Sequence, residues 1–199
     1  MLEKKSTKWL VRMGVLIAII VLMSFTPIGY LKVGAIEITF IMIPVIIGAI
    51  TLGAKSGAIL GAVFGITSFI QCFGASPFGA MLLSINWFFT LLTCLIPRIL
   101  MGWLTGVIFS ALYKKDKTKG NALSFIITSL VAPMLNTFFF MLFIIVLFGS
   151  SDYIIELQAG RNLFAFVVWF VGLNGVIEAA VSFLVGGTIS KAVYRFANK

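Results

Sequence analysis

The chain has 199 residues, 61% hydrophobic and 11% charged, with a formal net charge of +9, no His and two Cys. Charge this sparse cannot cover a water-soluble particle that also carries 20 Phe, since soluble domains devote about a quarter of their residues to charge. Composition therefore excludes an ordinary soluble domain and places most of the chain in lipid.

Six apolar segments emerge between the polar and Gly/Pro punctuation, at residues 9–26, 36–53, 57–73, 86–112, 121–148 and 162–190. Each is near the roughly 20 residues that span about 30 Å of hydrocarbon. The expected fold class is an all-α integral membrane protein, one domain over residues 1–199, with six transmembrane helices in a compact bundle. The first segment has no A-x-A-like cleavage site around Ser24-Phe25-Thr26-Pro27 and is expected to stay in the mature protein. The turn Gly53-Ala54-Lys55-Ser56-Gly57 ties the second and third segments into a tight hairpin, and Tyr113 to Gly120 reads as a basic linker. Outer loops are expected at about 27–35, 74–85 and 149–161.

The basic residues sort by loop. Lys4, Lys5, Lys8, Arg12, Lys55, Lys114, Lys115, Lys117, Lys119, Lys191, Arg195 and Lys199 fall on one side, Lys32 and Arg161 on the other, and Arg98 inside the fourth segment. The positive-inside rule then puts both termini in the cytoplasm of a multi-pass cell-membrane protein. Because the cations cluster at segment ends and form no stripe on a soluble face, the net charge is topological and predicts no nucleic-acid partner. Trp9, Tyr30, Trp87, Tyr113 and Tyr194 suit an interfacial aromatic belt.

With no His and with Cys72 and Cys94 both in apolar runs, the usual metal-site spacings and His-based triads are absent, so no metal, cofactor or catalytic residue is expected. Gly48-x4-Gly53-Ala54-Lys55-Ser56 imitates a phosphate-binding loop, but an extra Ala precedes Lys55 and the intervening residues are membrane-embedded, not a strand-to-helix turn. The chain is not expected to hydrolyse ATP. Gly53, Gly57, Gly61 and Gly65 recur every four residues, with Gly102 and Gly106 in the fourth segment, and make smooth ridges for close packing within the bundle. Gly14 and Ala18 make a shorter version in the first segment, where a partner membrane subunit is the expected occupant.

Polar residues inside spans are costly in lipid and are expected to face a cavity or one another. Arg98 lies after Pro97 about 12 residues into the fourth segment and Asn174 about as far into the sixth, so both reach a depth of about 18 Å at about 1.5 Å per residue. Asn136 arrives at a similar level from the cytoplasmic side, and Glu178 lies one turn below Asn174 on the same face. Two readings stand: a buried Arg98 to Glu178 ion pair that fixes helix register, or a polar floor for a ligand from outside, with the guanidinium forked onto a carboxylate. Asn86 and Gln71 near the outer surface flank the loop Phe73-Gly74-Ala75-Ser76-Pro77-Phe78-Gly79, whose aromatics are placed to cap a pocket.

The stretch from Pro27 to Phe73, with Ile28-Gly29-Tyr30-Leu31-Lys32-Val33-Gly34, Ile43-Pro44-Val45, Leu52-Gly53 and Gly57-Ala58-Ile59-Leu60-Gly61-Ala62-Val63-Phe64-Gly65, resembles the substrate-binding S components of energy-coupling factor (ECF) vitamin transporters. Pro97-Arg98-Ile99-Leu100-Met101-Gly102, Leu135-Asn136-Thr137 and Gly175-x2-Glu178 extend the likeness over nearly all of the chain. The resemblance implies capture of a vitamin from outside and delivery with a transmembrane coupling subunit and two ATPase subunits. It implies that Gly14 and Ala18 meet the coupling subunit, Gly14 being a departure from the Ala-x3-Ala expected there. Members assigned to pantothenate are most similar, which suits an Arg with several amides; riboflavin, vitamin B6 and hydroxymethylpyrimidine are the alternatives. The expected substrate-binding residues are Asn86, Arg98, Asn136, Asn174, Gln71 and Glu178. A membrane scaffold or assembly protein without transport is the reading from another class. An intramembrane protease would need a Ser/His, paired-Asp or metal constellation that the chain lacks.

Overall fold

A computed structural model describes residues 7–27, 29–33, 36–115, 122–162, 165–168, 172, 181 and 182. In chain order the described elements are α1 (Thr7–Ser24), β1 (Tyr30–Val33), β2 (Ile36–Thr39), α2 (Met42–Leu52), α3 (Ala54–Gln71), α4 (Pro77–Ile85), α5 (Trp87–Lys115), α6 (Ala122–Phe148) and α7 (Asp152–Gln158). Four of these helices, α1, α3, α5 and α6, are long and apolar enough to cross a membrane. Most of the expected sixth span, 162–190, including Asn174 and Glu178, lies outside the described residues, as do residues 116–120 of the basic linker.

The all-α expectation needs one correction. The second segment does not begin as a helix at Ile36, because Ile36-Glu37-Ile38-Thr39 alternates β-branched and polar residues and pairs as β2 against β1. The antiparallel register sets Tyr30 opposite Thr39 and Lys32 opposite Glu37. Helix α2 therefore starts at Met42 and keeps 11 residues. It is apolar all round and buried nearly all round. A single residue, Gly53 at φ 90°, separates α2 from α3. This is the expected hairpin, and it turns the phosphate-loop look-alike into two helix ends.

Two expected loops also carry helices. In 74–85 Ser76 caps α4 by accepting from the Gly79 amide at 3.2 Å, with Pro77 in the first turn. In 149–161 Ser151 caps α7, which ends on the left-handed Ala159 and Gly160.

The spacing of glycines decides how α3 meets α5. Gly57 lies on the Gly102 carbonyl, Gly61 on the Arg98 carbonyl, and a Cβ built at Gly65 would be 2.8 Å from the Cys94 carbonyl oxygen. Each step of four up α3 matches a step of four down α5, so the helices run antiparallel with backbones in contact. The glycine ridge of the third segment is thus an internal packing surface. Gly106 closes on Ala54 in the same way.

Helix α1 lies along this frame and is pinned at both ends. The Trp9 indole donates to Ser56 Oγ at 3.1 Å, Ser24 Oγ donates to Thr67 Oγ1 at 2.9 Å, and the Gln71 amide donates to the Ser24 carbonyl. Met13, Ile20 and Ser24 form its buried face.

Buried apolar side chains form two clusters. The larger joins α1, α2, α3, α5 and α6 through Ile20, Ile46, Phe64, Met101 and Ala132, among others. The smaller joins α4, α6 and α7 through Leu82, Met141, Phe148 and Ile154. On α6, Asn136 falls between Ala132 of one cluster and Met141 of the other, and on α5 Arg98 falls between Met101 and Phe89.

Candidate functional site

The site begins with a missing hydrogen bond. Pro97 has no N–H, so the carbonyl of Thr93, four residues earlier, loses its helical donor. The Arg98 guanidinium takes that place, Nη1 donating to the Thr93 carbonyl at 2.8 Å. This is its one hydrogen bond among the described residues. The residue is 7% exposed, and its guanidinium carbon lies over two aromatic rings, 4.5 Å from the centroid of Phe140 and 5.5 Å from that of Phe64. Such contacts attract the cation without saturating its N–H groups.

Arg98 Nε has no hydrogen-bond partner among the described residues, and neither do Thr93 Oγ1, Asn136 Oδ1, Thr128 Oγ1 and Ser129 Oγ. Asn136 lies one turn, about 6 Å along the axis, before Phe140 on the same face of α6. Ser129, Ala132 and Asn136 continue one stripe of α6. Pro133 repeats the device of Pro97, leaving the Ser129 carbonyl without its helical donor. Elsewhere, Ser and Thr of the spans bond back to their own helix, as Thr51, Thr105 and Ser110 do. The unpaired hydroxyls of Thr93, Thr128 and Ser129 are therefore exceptions, and they share helices with Arg98 and Asn136. Buried polar atoms without partners cost free energy and mark places where a ligand or ordered water is accommodated.

Over this layer stands an aromatic cover. Phe78 of α4 packs against Phe140 at 6.5 Å and against Tyr153 of α7 at 6.1 Å. Partial burial raises the Tyr153 pKa, since burial penalises the charged phenolate. The series Tyr153, Phe78, Phe140 leads from α7 to the guanidinium. Phe73, in contrast, is 70% exposed.

The remaining expected site residues are placed elsewhere. The Gln71 amide is spent on the Ser24 carbonyl, and its backbone carbonyl receives the amides of Ala75 and Ser76, both at 2.9 Å. Asn86 joins α4 to α5, its Oδ1 accepting from the Phe88 and Phe89 amides at 3.0 and 3.1 Å, which is a helix cap. Asn174 and Glu178 lie outside the described residues. Gly14 and Ala18 are exposed on the outward side of α1, and a Cβ at Gly14 would meet nothing within 4 Å. Sequence reasoning missed Thr93, Thr128, Ser129, Phe64 and Phe140. For Thr93 and Ser129 a signal existed, a proline four residues downstream.

A buried cation with open N–H capacity, an unpaired hydroxyl on its own helix at Thr93, an unpaired amide oxygen at Asn136 on the neighbouring α6 and an aromatic cover is a binding geometry. Among the described residues no nucleophile is paired with a base, and no His, Cys, Asp and Glu gather as a metal site. Residues 8–189 match the family described as ECF transporter, substrate-specific component. The chain belongs to that family. It is also 26% identical to the pantothenate transporter PanT of Leuconostoc mesenteroides subsp. mesenteroides, in an alignment of 203 residues that covers 100% of this chain and 98% of that protein. As an S component of a membrane transporter it has a role in transport and not in chemical conversion, and its four long apolar helices agree with residence in a membrane.

Proposed function

We propose that this S component captures pantothenate from the outer side of the cell membrane, with Arg98 forked onto the carboxylate and Asn136 bonded to the amide or a hydroxyl. The observation that carries the reading is the buried guanidinium, whose Nε lacks a hydrogen-bond partner among the described residues, together with the equally unpaired Asn136 Oδ1 on the helix that brings Phe140 onto the guanidinium. The full-length likeness to a pantothenate transporter supports it. A carboxylate accepts two parallel N–H bonds from one guanidinium, and the rest of pantothenate, an amide and two hydroxyls, suits the amide of Asn136 and the hydroxyl of Thr93. Asn174 and Glu178 complete the floor in this proposal, and Gln71 and Asn86 act on the site's outer rim, Gln71 by holding the loop between α3 and α4 and Asn86 by joining α4 to α5.

Uptake requires partners: a transmembrane coupling subunit, met through the exposed Gly14 and Ala18 of α1, and two ATPase subunits that supply the energy. Both termini are cytoplasmic, on the strength of the distribution of Lys and Arg. The test is calorimetry on the purified protein with pantothenate, riboflavin, pyridoxine and hydroxymethylpyrimidine, beside native mass spectrometry for a co-purified molecule. Pantothenate is expected to bind, and the others not at comparable concentration. Binding of any of the other three in its place refutes the assignment of substrate.

A further inference from the structure

The Arg98 site leaves a second chemical feature unused. Cys72 caps the C-terminal end of α3 and Cys94 stands on α5 one turn before Arg98. Their Sγ atoms are 3.8 Å apart, both are thiols, and both side chains are buried. They are the two cysteines of the chain.

The antiparallel packing of α3 on α5 explains the approach. A Cα–Cβ bond leans toward the start of its own helix, so Cys72 reaches back along α3, Cys94 reaches back along α5, and the two directions converge. Contact at Gly65, where a Cβ would fall 2.8 Å from the Cys94 carbonyl oxygen, brings the backbones close enough for the thiols to meet. Across the pair lies α4: a Cβ at Gly79 would be 2.6 Å from Cys72 Sγ, so glycine leaves the room the thiol occupies. A disulfide needs a separation of about 2.05 Å. At 3.8 Å the two sulfurs are already in van der Waals contact before any bond forms.

We propose that Cys72 and Cys94 are a redox-modification site, forming a reversible intrachain disulfide that clamps α4 over the polar layer. The oxidant is a peroxide, small and uncharged enough to reach a buried thiol. One thiol attacks the peroxide O–O bond and becomes a sulfenic acid with release of water. The second thiol then attacks the sulfenic sulfur, forming the S–S bond and releasing a second water. Two thiols and one hydrogen peroxide thus give one disulfide and two waters; a dithiol reductant reverses the change. The closed ring contains α4 and therefore Phe78, which packs on Phe140 above Arg98. Tying both ends of that segment removes local opening of α4.

The experiment treats the full chain in detergent with hydrogen peroxide and reads intact mass, thiol count and amide hydrogen exchange, with no ligand present. Expected are a monomer lighter by two hydrogens, loss of both thiols and recovery of both with dithiothreitol. Amide exchange across α4 is expected to slow roughly tenfold, as a cross-link that suppresses local opening requires. The phenylarsine oxide complex, which needs two adjacent thiols, is expected to block the reaction in the unmodified sequence, a control that does not depend on a variant folding. Cys72→Ser and Cys94→Ser are each expected to abolish the mass loss. Persistence of both thiols, oxygen addition without the mass loss, covalent dimers, or unchanged exchange in α4 overturns the proposal. None of these readouts involves pantothenate, so failure here and failure of the substrate assignment are separable.

Discussion

Arg98 is the residue on which the substrate reading can be broken. Replacing it with Met removes the guanidinium while keeping much of its apolar length, and two consequences follow from the geometry. The Thr93 carbonyl loses the donor that stood in for the missing Pro97 N–H, a stability cost of about 1 to 3 kcal/mol for a buried acceptor left unpaired. The ligand carboxylate loses charge-assisted bonds worth about 1.5 to 3 kcal/mol each. One such bond is roughly a ten- to 150-fold rise in Kd. Arg98→Lys keeps the charge but not the planar fork, so it is expected to fall between wild type and Arg98→Met. The decisive assay is a cycle measured by calorimetry on folded protein: wild type and Arg98→Met, each with pantothenate and with its alcohol analogue, in which the carboxylate is replaced by CH2OH. Wild type should prefer pantothenate strongly, and Arg98→Met should prefer neither, because the cycle isolates the contact between guanidinium and carboxylate. An undiminished preference in Arg98→Met refutes the assignment of Arg98 to the carboxylate. If Arg98→Met fails to fold and Arg98→Met with Glu178→Leu folds and binds normally, the guanidinium belongs to a structural ion pair instead.

Asn136→Ala is expected to weaken pantothenate binding by about 1 to 3 kcal/mol, the loss of one buried polar partner, while leaving the thermal midpoint close to wild type; calorimetry beside a melting curve checks both. Gly61→Leu is expected to abolish folding in detergent, because a Cβ there already collides with the Arg98 carbonyl, whereas Gly14→Ala, with open space around it, should leave the melting curve unchanged. Gly14→Leu with Ala18→Leu should abolish uptake in proteoliposomes and co-purification with a coupling subunit while substrate affinity stays within about threefold, since neither residue touches the Arg98 layer and close backbone approach is what small residues permit. Loss of binding in that variant would overturn the assignment of α1. Gln71→Leu should lower the melting midpoint, through the lost tie to Ser24, more than it lowers affinity.

How much of this was legible depends on the range of each signal. Span lengths and the glycine repeat are local and periodic, so the third, fourth and fifth segments needed end corrections of a few residues, and the ridge at Gly57, Gly61 and Gly65 was read as internal packing. Strand β2 at Ile36–Thr39 was missed because Glu37 and Thr39 are brief breaks in an otherwise apolar run into α2, and hydropathy averaged over a span does not separate a strand from the helix it leads into. Helix α4 was hidden for the opposite reason. Its Ser76-Pro77 start signal stood in the sequence, but Gly74, Pro77 and Gly79 read first as reversals. For the site, counting residues from the segment ends set Arg98 and Asn136 at one depth, since a helix advances evenly. Depth says nothing of azimuth. It could not show that Gln71 turns toward α1, that Asn86 turns back on its own helix, or that Phe64 and Phe140 close on the guanidinium.

The polar layer also has a thermodynamic logic. Cation-π contacts of about 0.5 to 2 kcal/mol and one charge-assisted bond to Thr93 offset part of the cost of burying Arg98. They leave Nε unserved, and Thr93, Thr128, Ser129 and Asn136 each keep a buried polar atom without a partner among the described residues. Each such atom costs about 1 to 3 kcal/mol when it stays unpaired. On α6 Asn136 falls between Ala132 of the larger cluster and Met141 of the smaller, whereas Thr128 and Ser129 stand within the larger one, between Phe125 and Ala132, so the cost is spread along the helix. A ligand that supplies acceptors to the guanidinium and donors to Asn136 recovers part of it on binding, in addition to the area it buries. Affinity then depends on how well the partners match as much as on the size of the pocket. The same match would show as thermal stabilisation that grows with ligand concentration. A ligand of similar size without a carboxylate would leave the guanidinium unpaired and further desolvated, and rejection of such a ligand is the physical basis of selectivity here.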